Sequence, residues 1–338
     1  HFIENGTSGS QNIIIKQGSG ATITIPPGDT KAVYLDGAGS GAAVVDAFAS
    51  LSVVDLKVQD DLTVTGDIDV DGTTETDVLT INGSQLNYKS FGTSSIMFGD
   101  TTTGTINAAN YNVGLGVDVF AALTTGDGNI AVGFQAQDAL TTGNYNVAIG
   151  YDTLSTNSTG SASVAIGKEA LKVSTVSNNT AVGRVALTAN TTGNFNTAIG
   201  DGTLTANTTA ANNTAVGHDT LKANTTGASN VAVGKGALDA NTTAAENTAV
   251  GTDAMTTNTT GASNAAFGTD SLKLNTTGAS NTALGAYSLD ANTTAGNNTA
   301  VGVHALGANT TGDRNTAVGS SAGKAITTGT FNNILGSN

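Results

Sequence analysis

Apolar and polar positions recur with a period of 17 residues between residues 95 and 338. The clearest marker of the period is the glycine that ends each Ala-Val-Gly, Ala-Ile-Gly or variant of these. Successive markers lie 17 residues apart, except for one step of 16 from Gly167 to Gly183. Such regularity predicts a stack of small units, each of which buries its apolar face only against its neighbours. The markers are Gly99, Gly116, Gly133, Gly150, Gly167, Gly183, Gly200, Gly217, Gly234, Gly251, Gly268, Gly285, Gly302, Gly319 and Gly336.

We number the positions of each repeat from this glycine. Position −1 is always Val, Ile, Leu or Phe, and position −3 is usually Thr, Val, Ile or Ala. Strand side chains alternate between faces, so positions −3 and −1 share one face and position −2 lies on the other. Position +4 is Leu or Met in ten consecutive repeats, including Leu187, Leu204, Leu221 and Leu238. The −1 and +4 columns are therefore predicted to form the core of the stack.

Two further columns have nearly constant residues. Position −2 is Ala in 12 of 15 repeats, which predicts that something packs very close to this face. Position −4 is Asn in 13 of 15 repeats, Asn213 and Asn230 among them. Stacked copies of Asn predict a ladder of amide hydrogen bonds. The alanine column includes Ala131, Ala148, Ala165, Ala181, Ala198, Ala215 and Ala232.

The repeat favours β-structure over helices. Asn-Thr-Thr-Gly or a close variant follows the +4 residue, as at residues 190–193, and has the chemistry of a turn. Gly, Asn and Thr are poor helix formers, and 17 residues are too few for a comfortable helical hairpin. We therefore predict an all-β fold, a parallel β-solenoid (β-roll) in which each repeat contributes two short strands and two turns.

The first 94 residues predict different structures. Residues 1–47 contain strand-like runs at residues 12–16, 21–25 and 32–35, separated by turn signals, and are assigned to a small N-terminal β module. Residues 48–94 carry an alternating apolar series that is typical of strands in a narrow stem, where three chains each bury one face on a common axis. Residues 95–338 form the repeat array.

Composition excludes several classes of partner. The chain has 12 Lys and Arg against 26 Asp and Glu and a net charge of −14, which argues against nucleic-acid binding. It has no Cys, and hence no disulfide or thiolate metal site. No apolar run approaches the ~20 residues that a membrane-spanning helix needs, so no membrane insertion is expected.

One segment resembles a calcium loop. The run from Asp67 to Gly72 alternates aspartate with apolar residues, but the twelfth position, where an EF-hand needs glutamate, is Val78. The simpler interpretation is a strand with its aspartates in water.

The other candidate sites are weaker. Gly37, Gly39 and Gly41 lack the Lys-Ser/Thr of a phosphate-binding loop and predict a turn. His1, His218 and His304 have no partners at metal-ligand spacing, and the last two are expected at the surface. We therefore predict no catalytic, cofactor or metal site and no enzymatic activity. An enzyme acting on polysaccharide is disfavoured, because its clustered carboxylates and abundant aromatics are missing; aromatic residues are 4% of the chain.

The repeat resembles those of two known families. The unit from Asn213 to Leu221, followed by Asn-Thr-Thr-Gly at 224–227, resembles the head repeats of trimeric autotransporter adhesins. It is still more similar to Asn-Thr-Ala-Val-Gly arrays of bacteriophage tail fibres. The segment from Ser10 to Asp46 is similar to the N-terminal regions of marine bacteriophage tail fibres.

The resemblance implies a homotrimer of left-handed parallel β-rolls in an extracellular virion tail. Its expected partners are other copies of the chain, other tail proteins at the N-terminus, and a host surface receptor of glycan or protein nature. It also implies that the alanine column faces the neighbouring subunit. The alternative is a bacterial surface adhesin or extracellular filament protein. Related fibres carry a self-cleaving chaperone domain after such arrays, and its removal would explain an end at Asn338.

Overall fold

The computed structural model of the protein describes residues 2–16, 19, 21–35, 44–46, 79–81, 84–86, 88–91, 95–98 and 108–337. The chain divides into two compact units, His1–Glu75 and Thr76–Asn338. The division falls inside the segment that the sequence assigns to the stem. All regular structure within the described ranges is β-strand.

The first unit contains two small antiparallel sheets. One is a hairpin of β2 and β3, and the other has the strand order β1-β4-β5. Ile25 and Val33 are buried, and the amide of the buried Asn5 donates to the carbonyls of Gln11 and Ile25, both over 2.8 Å. The three strands predicted in this region are confirmed as β2, β3 and β4. The strands are β1 (Phe2–Glu4), β2 (Ile13–Lys16), β3 (Thr22–Ile25), β4 (Thr30–Leu35) and β5 (Val44–Asp46).

The second unit begins with three strands from the predicted stem region. β6 (Leu79–Ile81) and β7 (Ser84–Leu86) form an antiparallel hairpin. β8 (Tyr88–Phe91) pairs antiparallel with β9 (Ser95–Phe98), the first strand of the repeat array. The repeat sheet therefore starts before residue 95. Most of the predicted stem lies outside the described residues, and its wrapping of three chains stays a prediction.

The repeat array forms one long sheet. Its strand order runs without interruption from β23 to β8, and every pair from β9 to β23 is parallel and in register. This confirms the predicted parallel β-solenoid. The remaining strands are β10 (Val113–Leu115), β11 (Ile130–Val132), β12 (Val147–Ile149), β13 (Val164–Ile166), β14 (Thr180–Val182), β15 (Thr197–Ile199), β16 (Thr214–Val216), β17 (Val231–Val233), β18 (Thr248–Val250), β19 (Ala265–Phe267), β20 (Thr282–Leu284), β21 (Thr299–Val301), β22 (Thr316–Val318) and β23 (Asn333–Leu335).

Each repeat contributes one strand, not the two that were predicted. Positions −3 to −1 form the strand, and the Asn-Thr-Thr-Gly segment is a turn. The reason is a backbone with left-handed residues at positions +2, +4 and −5, such as Asp219 (φ 54°), Leu221 (φ 51°) and Ser229 (φ 58°). Neighbouring turns still bond to each other, because the Thr191 N–H donates to the Thr208 carbonyl over 2.8 Å.

The core occupies the other side of the strand from the one predicted. The −2 alanines are fully buried within the single chain, in one continuous cluster with the +4 leucines. The +4 prediction is confirmed, but the −1 prediction is wrong: Ile149, Phe267 and Leu284 are 38%, 40% and 48% exposed. The expectation that the alanines face another subunit is also wrong, because the interior of the roll encloses them. The enclosed alanines include Ala131, Ala148, Ala165, Ala181, Ala198, Ala215 and Ala232.

The predicted asparagine ladder at position −4 is confirmed. The side-chain Oδ1 of Asn213 accepts the backbone N–H of Asn230 over 2.9 Å, and the Asn230 amide also donates to the Ala244 carbonyl over 2.9 Å. Each −4 asparagine thus satisfies buried backbone groups that lie outside the strand, where unpaired groups are costly.

The marker glycine is required by the close stacking of the repeats. Gly217 has a φ of 139°, which side chains rarely adopt. A Cβ at this position would lie 2.6 Å from the carbonyl oxygen of Gly234 in the next repeat. Only a residue without a side chain therefore fits between the two backbones.

The short step between Gly167 and Gly183 leaves the sheet unchanged. Val164, Ala165 and Ile166 pair with Thr180, Ala181 and Val182 in the same register as every other repeat. The missing residue is absorbed in the turn, where backbone changes cost least.

Candidate interaction face

One face of the repeat sheet presents to solvent an apolar column at position −1 and a column of Val, Ile, Ala, Thr and Asn at position −3. Because the −2 side chain points inward, the −3 and −1 side chains point outward. The exposed fractions are 38% for Val231, 37% for Val233 and 38% for Val318. We call this surface, made of positions −3 and −1 of strands β9 to β23, the outward sheet face. Exposed apolar side chains that recur on one sheet face are typical of a protein–protein contact.

The ion pairs within single repeats lie at positions +2 and +5, away from the −3 and −1 columns. An acid at position +2 and a lysine at position +5 form ion pairs within one repeat: Asp219 with Lys222 at 3.2 Å, and Asp270 with Lys273 at 2.9 Å. The hydrogen bond that the Lys273 ammonium donates to the Asp270 carboxylate raises the pKa of Lys273. These pairs are partly exposed, so each contributes little to stability.

Three aspartates at position +5 carry perturbed carboxyl groups. Burial raises the pKa of Asp138, Asp239 and Asp290. Neighbouring carboxylates add to the effect, namely Asp152 and Asp118 for the pKa of Asp138. One oxygen of Asp138 is buried without a hydrogen-bond partner. No group of three or more His, Cys, Asp or Glu residues in the described ranges could hold a metal ion.

The two described histidines lie at the surface in different settings. His218 is exposed, with its Nδ1 3.3 Å from the Asp219 carboxylate. His304 is half-buried and stacks on Tyr287, with ring centroids 5.0 Å apart. The remaining candidates, His1, the glycines from Gly37 to Gly41 and the segment from Asp67 to Gly72, lie outside the described residues.

The Asn-Thr-Thr sequons are not available for modification in the folded protein. Asn190, Asn207 and Asn224 are fully buried. They form a second asparagine ladder at position +7, in which the amide of Asn224 donates to the Oδ1 of Asn207 over 3.0 Å. The sequence predicted a turn in this segment and no hydrogen-bonded ladder. The recurrence of Asn at one position is the signal that could have revealed the ladder.

Stacked aromatic side chains are a further feature that the periodicity did not reveal. Phe134 and Tyr151, both at position +1, stack with ring centroids 5.3 Å apart, and the Lys168 ammonium lies 5.8 Å from the Tyr151 ring. Near the last repeat, the Arg314 guanidinium lies 5.2 Å from the Phe331 ring. Positions +1 and −5 thus carry the features that distinguish one repeat from another.

A cavity of about 300 Å³ lies at the final repeat and is lined by Ile326, Ile334 and Leu335 among others. It belongs to the end of the solenoid core, because Ile326 and Ile334 pack against the core cluster.

No helix in the described part of the chain could span a membrane.

Comparison with known proteins adds no identification. No protein-family model, no curated protein and no solved structure matches the chain. The function must therefore be argued from the repeat sheet and its outward face.

Proposed function

We propose that this chain is a structural and adhesive fibre protein that assembles as a homotrimer through the outward sheet face. The observation that carries the proposal is the exposed apolar surface of positions −3 and −1. Copies with a net charge of −14 repel each other, so contact is favoured where neither copy presents charge. The −3 and −1 columns hold only Val, Ile, Leu, Phe, Thr, Ala and Asn.

The size of this face sets an upper bound on the area of contact. Fifteen strands at about 4.8 Å spacing give a length of about 67 Å, and two columns give a width of about 10 Å. In a trimer the product, about 670 Å², is shared between two neighbours and gives about 335 Å² for each, which is below the ~800 Å² per partner of a standard stable interface. The contact therefore has to use most of the face.

The proposal places the protein in a bacteriophage tail fibre that attaches the virion to a host surface receptor. The sequence resemblance to tail-fibre arrays supports this location. A bacterial surface adhesin or an extracellular filament protein is the second candidate, supported by the resemblance to autotransporter heads. We propose no catalytic role.

The test of assembly uses the absence of cysteine from the chain. We expect sedimentation to give a mass about three times 33.2 kDa. Val231→Cys should cross-link between copies with a short bis-maleimide, whereas Thr209→Cys, an exposed turn residue, should not. A monomeric wild-type protein at micromolar concentration would overturn the proposed trimer.

Location is tested separately. Antibodies against the folded chain should label the tails of purified virions in immunogold microscopy. Labelling of bacterial cells alone would favour the adhesin and defeat the fibre.

A further inference from the structure

The outward sheet face is not uniform along the solenoid. In the repeats of β10, β11 and β12, apolar side chains extend beyond positions −3 and −1 to the flanking positions −5 and +1. Nine of the 24 exposed large hydrophobic residues of the described chain fall between residues 111 and 151. They are Tyr111, Val113, Leu115, Val117, Ile130, Phe134, Tyr145, Ile149 and Tyr151.

The flanking side chains in this segment are large and well exposed. Tyr111 is 62% and Tyr145 71% exposed at position −5, while Phe134 is 39% and Tyr151 48% exposed at position +1. The edge of the Tyr145 ring occupies the space that a Cβ at Gly128 would need. The absence of a side chain at Gly128 therefore lets this ring lie close to the preceding repeat.

The segment also differs from the later repeats in charge. No Lys or Arg occurs between residues 90 and 167, and positions −5, −3, −1 and +1 of the three repeats carry no charge. Later repeats place Lys168, Arg184 and Lys235 at position +1, and Glu246 at position −5. In these later repeats Thr replaces Val or Ile at most −3 positions, so position −1 is the column that stays apolar throughout.

We infer that residues 111–151 form an assembly clamp, the part of the outward sheet face where copies of this chain bind each other most strongly. The occupant is a second copy, because the segment continues the face proposed for self-association. Copies related by a threefold axis parallel to the solenoid bring equal repeats together, so clamp meets clamp. Tyrosine is one of the residue types that are enriched among those that dominate binding energy. This inference rests on the proposed self-association.

The first experiment compares the same substitution at the same repeat position. Ile130→Glu lies in the clamp and Val231→Glu lies outside it, and the wild-type side chains are 39% and 38% exposed. We expect the trimer dissociation constant to rise about tenfold more for Ile130→Glu, measured by sedimentation equilibrium. Circular dichroism of both variants verifies folding.

The second experiment tests the flanking rings alone. Tyr145→Ser removes a clamp side chain, and Phe195→Ser, at the same position −5 with 56% exposure, is the matched control. Only the clamp variant should weaken the trimer. In the wild-type trimer, Tyr111 and Tyr145 should also be protected from iodination, and dissociation should remove this protection.

The outcomes separate the two proposals. A wild-type chain that never associates overturns the proposed function together with the clamp. A wild-type trimer that both glutamate variants weaken equally, or in which Tyr145 is iodinated as fast as in the monomer, overturns the clamp alone. Binding of Tyr145 to a glycan such as chitohexaose, without loss of trimer in Tyr145→Ser, would assign these rings to a receptor instead.

Discussion

The backbone N–H of Asn230 donates to the side chain of Asn213 in the preceding repeat, at 2.9 Å from N to Oδ1. The two residues are 17 positions apart, and both are fully buried. The same bond recurs along the array. At the residue before most strands, an asparagine side chain accepts the backbone N–H that has no acceptor in the sheet. Stability therefore depends on a polar column as much as on the apolar core.

Replacing Asn230 by Leu should be strongly destabilising. The change leaves the backbone N–H of Asn247 without its acceptor, and the Ala244 carbonyl and the Asn213 Oδ1 each lose one of their two donors. We expect a loss of about 1–3 kcal/mol, because a buried polar group left unpaired costs about that much. Denaturant unfolding measures the loss. Ser229→Ala, at the exposed neighbouring position, should change stability little, and an equally large effect there would contradict the ladder's role.

The opposite outcome is expected for Gln137→Leu. Gln137 occupies the +4 position, where most repeats have Leu, and its Oε1 is buried without a hydrogen-bond partner. Its φ is 53°, and Leu154, at the same position of the next repeat, has a φ of 51°. Leu therefore fits the same backbone. The Gln137 Nε2 donates to the Ile130 carbonyl over 3.3 Å, but the unpaired Oε1 costs more, so its removal should stabilise the protein by about 1–3 kcal/mol. A lower melting temperature would show that the amide is needed, for example to bind an internal water.

Enlarging an alanine tests which side of the strand is buried. Ala215→Leu should destabilise the protein by about 1–3 kcal/mol through overpacking, even at concentrations where no association occurs. Val216→Leu, on the outward sheet face, should leave the unfolding free energy of the isolated chain nearly unchanged. The reverse ranking would restore the alanine column to the subunit contact.

The pH dependence of stability should change in Asp138→Asn. Burial raises the pKa of Asp138 in the folded state, so the folded chain binds this proton more tightly than the unfolded chain. The carboxyl group thus favours folding less as pH rises from about 4, its unfolded pKa, through the raised folded pKa. The variant should melt higher than wild type at pH 7, and the difference should shrink at about pH 3, where both states are protonated.

The sequence was sufficient to predict the solenoid, its register and the −4 ladder, because these depend only on the period and on stacked identical residues. It could not decide which strand face is inside, since Ala215 and Val216 are both apolar and alternation alone gives no direction. That choice follows from the turns. Left-handed conformations at residues such as Leu221 (φ 51°) bring the chain around, and Leu gives no sequence signal for a conformation it disfavours.

The candidate face was therefore missed for the same reason that the core was misplaced. Because the −2 side chain is enclosed, the −1 and −3 side chains must face outward. Their apolar residues then indicate a surface for association and not a packed core. The widening of this face at Tyr111 and Tyr145 was visible in the sequence only as two variable −5 residues.

The turn that absorbs the missing residue between Gly167 and Gly183 has a consequence for how this chain can evolve. The strands on either side keep their partners, so each repeat behaves as an interchangeable module. Recombination between near-identical repeats in the gene can insert or remove whole modules, and the sheet closes over the change without a new kind of contact. Selection can then adjust the length of the array in steps of one repeat.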